Sequence, residues 1–249
     1  IFNVAIRTIQ LHQGKAIYGV GGGITWDSTW ESEYREVHQK AAVLYRKQAR
    51  FKLITTGKIS QKNLLFEEQH IERLRKASRY FAFPFDSENL KQKIEEECQA
   101  CDANQDYRLH ISLDKSGEIE VDRQVLTALS PSFCQAKLCL QEANLQQAFI
   151  YFKTTHRPHL SIGEQEIIYH NKSGELLETS IGNLVLKISG KLYTPPIRLG
   201  ILPGIYRQLL LETGQVEERV LTLKDLARAE AIYGCNAVRG LYELSVREN

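Results

Sequence analysis

The stretch Phe149–Leu160, FIYFKTTHRPHL, constrains the chain more than any other. Four mostly apolar residues rich in β-formers run directly into Lys153, and two threonines and a His-Arg-Pro sequence break the pattern at once. A run of that length and composition predicts a short buried strand. The residue before proline and the polar cluster end it. Such a strand delivers one ammonium to the start of a loop. An amine there either snorkels to the surface or is desolvated, with a lowered pKa and the ability to form Schiff bases.

The totals narrow the class. The 249 residues are 43% hydrophobic and 25% charged, enough for one large domain or two smaller ones. A net charge of +2 with scattered basic residues gives no nucleic-acid footprint. No apolar run is long enough to span a membrane and no signal peptide opens the sequence. Five cysteines, an odd number, point to reduced thiols in a cytoplasmic protein. With no Met and Ile at position 1, the sequence is expected to be part of a longer or processed chain.

Three segments are expected, over 1–46, 47–142 and 148–249. In the first, Phe2–Ile9 and Ala16–Val20 read as strands around a Gln13-Gly14-Lys15 turn. The glycine run at 19–23 is not a dinucleotide fingerprint, because Ile24 and the following TWDSTW are a poor helix opening. Ser28 or Thr29 caps a helix to about Tyr45, with Glu33 and Glu36 on one face, as a divalent-metal pair or a solvated acidic face. In the second segment, strands are expected at 51–56 and 63–66 and a helix at His70–Phe83, stopped by Pro84. Ser87 caps the next helix, which carries Cys98-Gln-Ala-Cys101, weak evidence for metal without a second pair. A hairpin follows at 107–121, then a last strand at 136–140 and a polar linker over 141–147. The third segment holds hairpins at 166–178 and 183–193, a Gly-Pro-marked turn into a helix ending at Gly214, and a buried strand at 231–235.

Within 1–46, FNVAIRTI, YGVGGGITWDS and ESEYREVHQKA resemble the C-terminal end of the chorismate-binding domain of aminodeoxychorismate synthase component I. The resemblance implies that Arg7 and the glycine loop would hold chorismate and that Glu33 and Glu36 would serve Mg²⁺ in a complete domain. Most of that domain is absent from this sequence, so neither chorismate turnover nor a metal site is expected. The segment is too small for a core of its own and is expected to be partly ordered or to lean on the next domain.

Four features converge on one ligand. Lys153 is an aldehyde-reactive amine, and Glu178 ends an apolar strand. Gly204-Ile205-Tyr206 opens a helix whose free N–H groups favour phosphate, and Asn236-Ala237 follows a buried strand with further donors. An amine, an anion near a pyridine nitrogen and a phosphate cup together describe pyridoxal phosphate. The stretches EEQHIERLRKASRYFAFP, FKTTHRP, NKSGELLETSIGN, LYTPP, GILPGIYR and YGCNAVRGL resemble the fold-type IV pyridoxal phosphate enzymes. Within these they resemble aminodeoxychorismate lyase as fused behind the synthase chain. The implied fold is two α/β (α+β) domains with the cofactor between them, like the branched-chain and D-amino-acid aminotransferases, usually as a homodimer. By resemblance Lys153 is the Schiff-base lysine, Glu178 pairs with the pyridinium nitrogen and Arg73 reaches the phosphate. Ile205, Tyr206, Asn236 and Ala237 complete the phosphate site, Leu202 packs on the ring, and Thr56 lies near the substrate. Lys58 stands where many relatives have Arg.

The implied reaction is conversion of 4-amino-4-deoxychorismate to 4-aminobenzoate and pyruvate, a step of folate synthesis. The rivals are a transaminase of branched-chain or D-amino acids, which shares the cofactor residues, and a non-catalytic remnant of a fused synthase/lyase. A glutamine amidotransferase subunit is an expected partner of the longer protein.

Overall fold

The computed structural model describes residues 8–45, 49–141 and 147–246. The chain divides into two units, Ile1–Arg50 and Phe51–Asn249. Arg7 and most of the strand expected over 2–9 lie outside the described residues, as does most of the 141–147 linker.

In the first unit β1 (Ile9–His12) and β2 (Lys15–Tyr18) form an antiparallel hairpin in the register Ile9↔Tyr18. Its turn uses Gln13 at φ 48 and Gly14 at φ 75. Helix α1 (Trp30–Tyr45) follows. Thr29 caps it, its Oγ1 accepting from the Ser32 N–H at 3.3 Å. Glu33 accepts a hydrogen bond from Ser28 at 2.6 Å and Glu36 pairs with Lys40 at 2.6 Å, so both carboxylates are engaged locally.

The second unit opens with β3 (Leu53–Ser60), β4 (Asn63–Leu64), α2 (Glu67–Phe81), α3 (Ser87–Gln99), β5 (Tyr107–Leu113) and β6 (Ile119–Val125). The four strands make an antiparallel sheet in the order β4-β3-β5-β6. Helix α2 buries His70, Ile71, Leu74, Ala77 and Ser78, a stripe of helical period. With Leu90 and Ile94 of α3 it covers the sheet residues Leu53, Ile59, Leu109, Ile111 and Leu113. The α3 cap is Asp86, not Ser87. Its carboxylate accepts from the N–H groups of Glu88 and Asn89 at 3.0 and 3.1 Å, and an ionised acceptor suits the positive end of a helix. Cys98 and Cys101 straddle the end of α3 in the same core, where burial pushes the Cys98 thiol up to about 11. Among the described residues no cluster of His, Cys, Asp or Glu could hold a metal ion.

Next come β7 (Gln135–Leu140), α4 (Gln147–Tyr151), β8 (Ile167–His170), β9 (Leu176–Thr179), β10 (Asn183–Ile188) and β11 (Lys191–Thr194). Then α5 (Ile205–Glu212), β12 (Glu217–Glu218), α6 (Leu223–Arg228), β13 (Ala231–Asn236) and β14 (Gly240–Val246) complete the chain. Eight strands form a second sheet in the order β12-β11-β10-β13-β14-β7-β8-β9. Strand β7, expected to close the preceding segment, belongs here, pairing in parallel with β14 and β8. Strand β9 also pairs back to β10 through Glu178↔Asn183, so the sheet curls onto itself at that seam.

The apolar run 149–152 is not a strand. Residues 147–151 are helical. Phe149 and Phe152, three apart, both pack on Phe81 at ring separations of 5.7 and 5.4 Å. A strand would send residues three apart to opposite faces, whereas a helical turn brings them to one. Short apolar runs do not reveal their period, and here tertiary contact decides.

Candidate active site

Lys153 follows α4 on extended backbone tied to the edge of β3. Its carbonyl accepts from the Ile54 N–H at 3.0 Å, Thr155 N–H donates to the Lys52 carbonyl at 2.9 Å, and Thr154 bridges Leu53. The lysine therefore joins the small sheet to the segment that leads into the large one. Its ammonium has no hydrogen-bond or ion-pair partner among the described residues. Burial, and then the like charges of Arg73, Arg157 and Arg108, hold its pKa well below the usual lysine range, with Glu178 pulling the other way. The group expected from the sequence is present, but helix α4 and one bridge deliver it in place of a strand.

Glu178 sits at the β9–β10 seam and is 1% exposed. Its Oε2 accepts from the Leu202 N–H at 3.2 Å, and its Oε1 is buried without a partner. Burial raises its carboxyl to about 7, against the lowering effects of Arg157, the Leu202 N–H and Lys153. Asn183, across the seam, donates to the Leu202 carbonyl at 2.8 Å. Leu202 is thereby clamped at both its N–H and its C=O.

The clamp leads straight into α5. Gly204 is its N-cap and supplies no side-chain bond, so the first N–H groups of the helix have no cap. A Cβ on Gly204 would lie 2.0 Å from Asn183 Oδ1, so only glycine allows this approach. From α2, Arg73 reaches across to donate to the Pro203 carbonyl at 2.7 Å, and burial with the charge of Arg157 lowers its pKa to about 10. Ile205 is buried at the helix start, and the Tyr206 ring meets Phe66 edge-on at 6.2 Å. Asn236 shapes its own loop: Oδ1 accepts from the N–H groups of Val238 and Arg239 at 3.0 and 2.9 Å, and Nδ2 donates to the Ile181 carbonyl at 3.3 Å. Its side chain is thus committed to the turn that carries the buried Ala237.

On the small sheet, Thr56 is buried with its Oγ1 3.3 Å from His110 Nδ1. Burial, and then the charges of Arg108 and Lys153, lower the His110 pKa. Lys58 pairs with Asp106 at 2.6 Å. His70 Nδ1 lies 2.6 Å from Thr55 Oγ1, its Nε2 is unpartnered, and burial drives its pKa down to about 3. Three residues of this constellation carried no signal in the sequence reading: Arg157, Arg108 and His110. Arg108 and His110 alternate with buried Leu109 along β5, and that period-2 pattern could have placed them together on one sheet face.

Solved structures share this architecture. A pyridoxal phosphate-bound aminotransferase from Mycobacterium tuberculosis, described as hypothetical, matches with a TM-score of 0.64, 16% identity and 83% coverage of each chain. A Legionella pneumophila structure described as a 4-amino-4-deoxychorismate lyase matches with a TM-score of 0.62, 22% identity, 79% coverage of this chain and 83% of that one. The fold is that of the fold-type IV pyridoxal phosphate enzymes, with mixed α and β content. Residues 52–245 match the amino-transferase class IV family, and the chain belongs to it. That family depends on pyridoxal phosphate. Residues 1–46 match the chorismate binding enzyme family. Aminodeoxychorismate lyase of Saccharomyces cerevisiae is 30% identical over 126 residues, 40% of this chain and 34% of that protein. The chain spans about a third of the length of the curated relatives it matches, 36% and 34%.

Proposed function

We propose that the chain is a pyridoxal phosphate-dependent lyase that converts 4-amino-4-deoxychorismate to 4-aminobenzoate and pyruvate. The order of matches carries the choice of reaction: a chorismate-binding segment precedes a class IV aminotransferase segment in one chain. Such a fusion couples consecutive steps, the product of the first being the substrate of the second.

The side chains suit the cofactor. A buried Glu178 oxygen lacks a donor, Lys153 is an unpartnered amine with a depressed pKa, and the start of α5 is uncapped. When bound, pyridoxal phosphate supplies an electron sink for bonds at the carbon bearing the substrate amine. Lys153 would hold it covalently until the substrate amine takes its place. The freed amine, its pKa held below the usual lysine range, would then take the proton from that carbon. Glu178 would accept from the ring nitrogen and keep it protonated. Arg73 and the N–H groups of Ile205 and Tyr206 would hold the phosphate, with Asn236 and Ala237 closing that end. Leu202 would pack on the ring and Thr56 would lie near the substrate. The carbon–oxygen bond to the enolpyruvyl group breaks as the substrate ring becomes aromatic. The group leaves as the enolate of pyruvate, whose methylene takes up the proton that Lys153 removed, giving pyruvate. Aromatisation makes the step downhill, so the protein mainly orients groups and moves protons.

The same proposal places the enzyme in the cytoplasm as a homodimer, with a glutamine amidotransferase subunit serving the synthase part of the longer protein. It also divides the chain into 1–46, a small domain and a cofactor domain; the separate four- and eight-stranded sheets support that, with β7 assigned to the larger. The family match favours a second reading, transamination of branched-chain or D-amino acids, because the cofactor residues are shared. The test supplies aminodeoxychorismate without a keto acid. Stoichiometric 4-aminobenzoate and pyruvate are expected. Amino transfer that requires a keto acid, with no pyruvate released, would replace the lyase by the transaminase.

A further inference from the structure

Glu166 stands immediately before β8 and is 0% exposed. Among the described residues it forms no ion pair. Three donors converge on it instead. Oε1 accepts from the Ser180 hydroxyl and, at 3.3 Å, from the Ile167 N–H, and Oε2 accepts from the Tyr242 hydroxyl at 2.8 Å. A buried carboxyl group is costly unless its oxygens are bonded, and here both are. The main chain of Glu166 is fixed as well: its N–H donates to the Phe133 carbonyl and its C=O accepts from the Lys137 N–H, both at 2.9 Å. A Cβ on Gly234 would run into the Tyr242 ring, so that ring lies directly on β13. One side chain therefore ties the start of β8, the turn between β9 and β10, and β14 at the seam where the sheet curls onto itself.

Glu166, Ser180 and Tyr242 have no part in the cofactor site proposed above, but the turn they hold does. Residues 180–182 join Glu178 on β9 to Asn183 on β10. Ser180 N–H donates to the Ile167 carbonyl at 3.0 Å, and Thr179 N–H donates to the Gly182 carbonyl at 2.9 Å. A Cβ on Gly182 would lie 2.5 Å from the Cys235 carbonyl, so the turn sits against β13 without a gap. Three connections lead from this turn into the site. Glu178 precedes it. Asn183 follows it and holds the Leu202 carbonyl, ahead of α5, at 2.8 Å. The Ile181 carbonyl accepts from Asn236 Nδ2 at 3.3 Å. The turn thus sits between the ring-nitrogen end of the site and its phosphate end, and a working site holds such groups to within about 0.5 Å.

We infer that Glu166 is a positioning residue: through Ser180 it fixes the turn at 180–182, and with it the spacing of Glu178, the start of α5 and the Asn236 loop. This role rests on the cofactor site proposed above and holds for either reaction there. An apolar side chain at 166 would leave the Ser180 and Tyr242 hydroxyls without their acceptor in the interior, and the turn would shift to find them another. An amide would keep an oxygen for Ser180 and present its nitrogen to Tyr242, whose hydroxyl can accept.

The test compares Glu166→Leu, Glu166→Gln and Tyr242→Phe with the wild-type chain. Leu226→Ala is the control, because Leu226 is buried on α6 in the core of the same sheet and outside the site. Each chain is melted without cofactor and titrated with pyridoxal phosphate by visible absorbance, with the band recorded as a function of pH. Glu166→Leu is expected to lose roughly tenfold or more in cofactor affinity and to move the pH at which the band changes. Glu166→Gln should recover most of that loss. Tyr242→Phe, which keeps the Ser180 bond, should lose a smaller part. Leu226→Ala should melt lower than wild type and bind the cofactor as tightly. Wild-type affinity and band in Glu166→Leu would overturn the role, and Tyr242→Phe decides in the same way if the leucine variant does not fold. It would equally be overturned if Leu226→Ala lost as much affinity as the Glu166 variants for the same loss in melting temperature, since Glu166 would then be a strut of the sheet alone. A wild-type chain that develops no visible band would remove the cofactor site itself, and this role with it.

Discussion

Residues 8–45 and residues 51–246 both alternate apolar with charged residues, yet they end in opposite states. Helix α1 has sixteen residues and none is buried. Trp26 is 102% exposed, and Leu11, Ile24, Trp30, Tyr34 and Val43 are also exposed. Helix α2, one residue shorter, buries five and rests on a sheet whose inward residues are almost wholly covered. The difference is not propensity, since both sequences are good helix formers. It is whether a second layer exists to receive the apolar face, because most helical stability in proteins comes from packing. The second region also owns every group of the candidate site, so chemistry and core coincide.

Lys153→Ala tests that coincidence with the largest expected effect. Alanine removes both the attachment point and the proton carrier, while Glu178, Arg73 and the start of α5 are untouched. Turnover should fall by at least 10³-fold or so, within the usual range for losing a general base plus a covalent step. The fold should persist and the cofactor should bind without covalent attachment, so borohydride should no longer fix it to the chain. Pyruvate release at a wild-type rate, or reduction mapping to a different lysine, would move the centre of the protein elsewhere.

A smaller effect is expected at Leu74, which lies on the buried face of α2 and is 0% exposed. Leu74→Ala should cost about 2–5 kcal/mol of unfolding free energy, through lost transfer energy and the cavity left behind. Denaturant midpoints at constant slope measure it. A cost under about 1 kcal/mol would mean the small core is loose and the contrast with α1 overstated.

Much of the second region was legible because its signals are local. The hairpin around 171–174 follows from Asn171, whose Oδ1 accepts from the N–H groups of Ser173 and Glu175, with Gly174 at φ 74. Helix α2 followed from its stripe, and the start of α5 from Gly204. What failed needed distant partners. Residues 149–151 of the apolar run became helical because Phe81 sits where two phenylalanines three apart can both reach it. Strand β7 joined the large sheet because β14, about a hundred residues on, offers the free edge. Arg157 was passed over as part of a loop-starting His-Arg-Pro, since a lone arginine gives no sign that its neighbours will leave it unpaired. Arg73, Leu202 and Thr56 came from resemblance; no spacing rule would have chosen them.

The smallest expected effect is at Val43, on α1. Its side chain is 66% exposed, so truncation removes little buried area. Alanine is also the better helix former, by up to about 0.7 kcal/mol, because valine loses rotamer freedom against the preceding turn. Val43→Ala should therefore leave α1 unchanged or stabilise it by a few tenths of a kcal/mol. Amide hydrogen exchange along 34–43 reads this directly, since it measures the opening free energy of that segment alone. Under the same protocol the α2 amides around Leu74 should exchange only through much larger openings. A loss of more than about 1 kcal/mol at Val43 would reverse the comparison, because a cost of that size requires a packed neighbour. The apolar face of α1 would then be covered in solution by another surface.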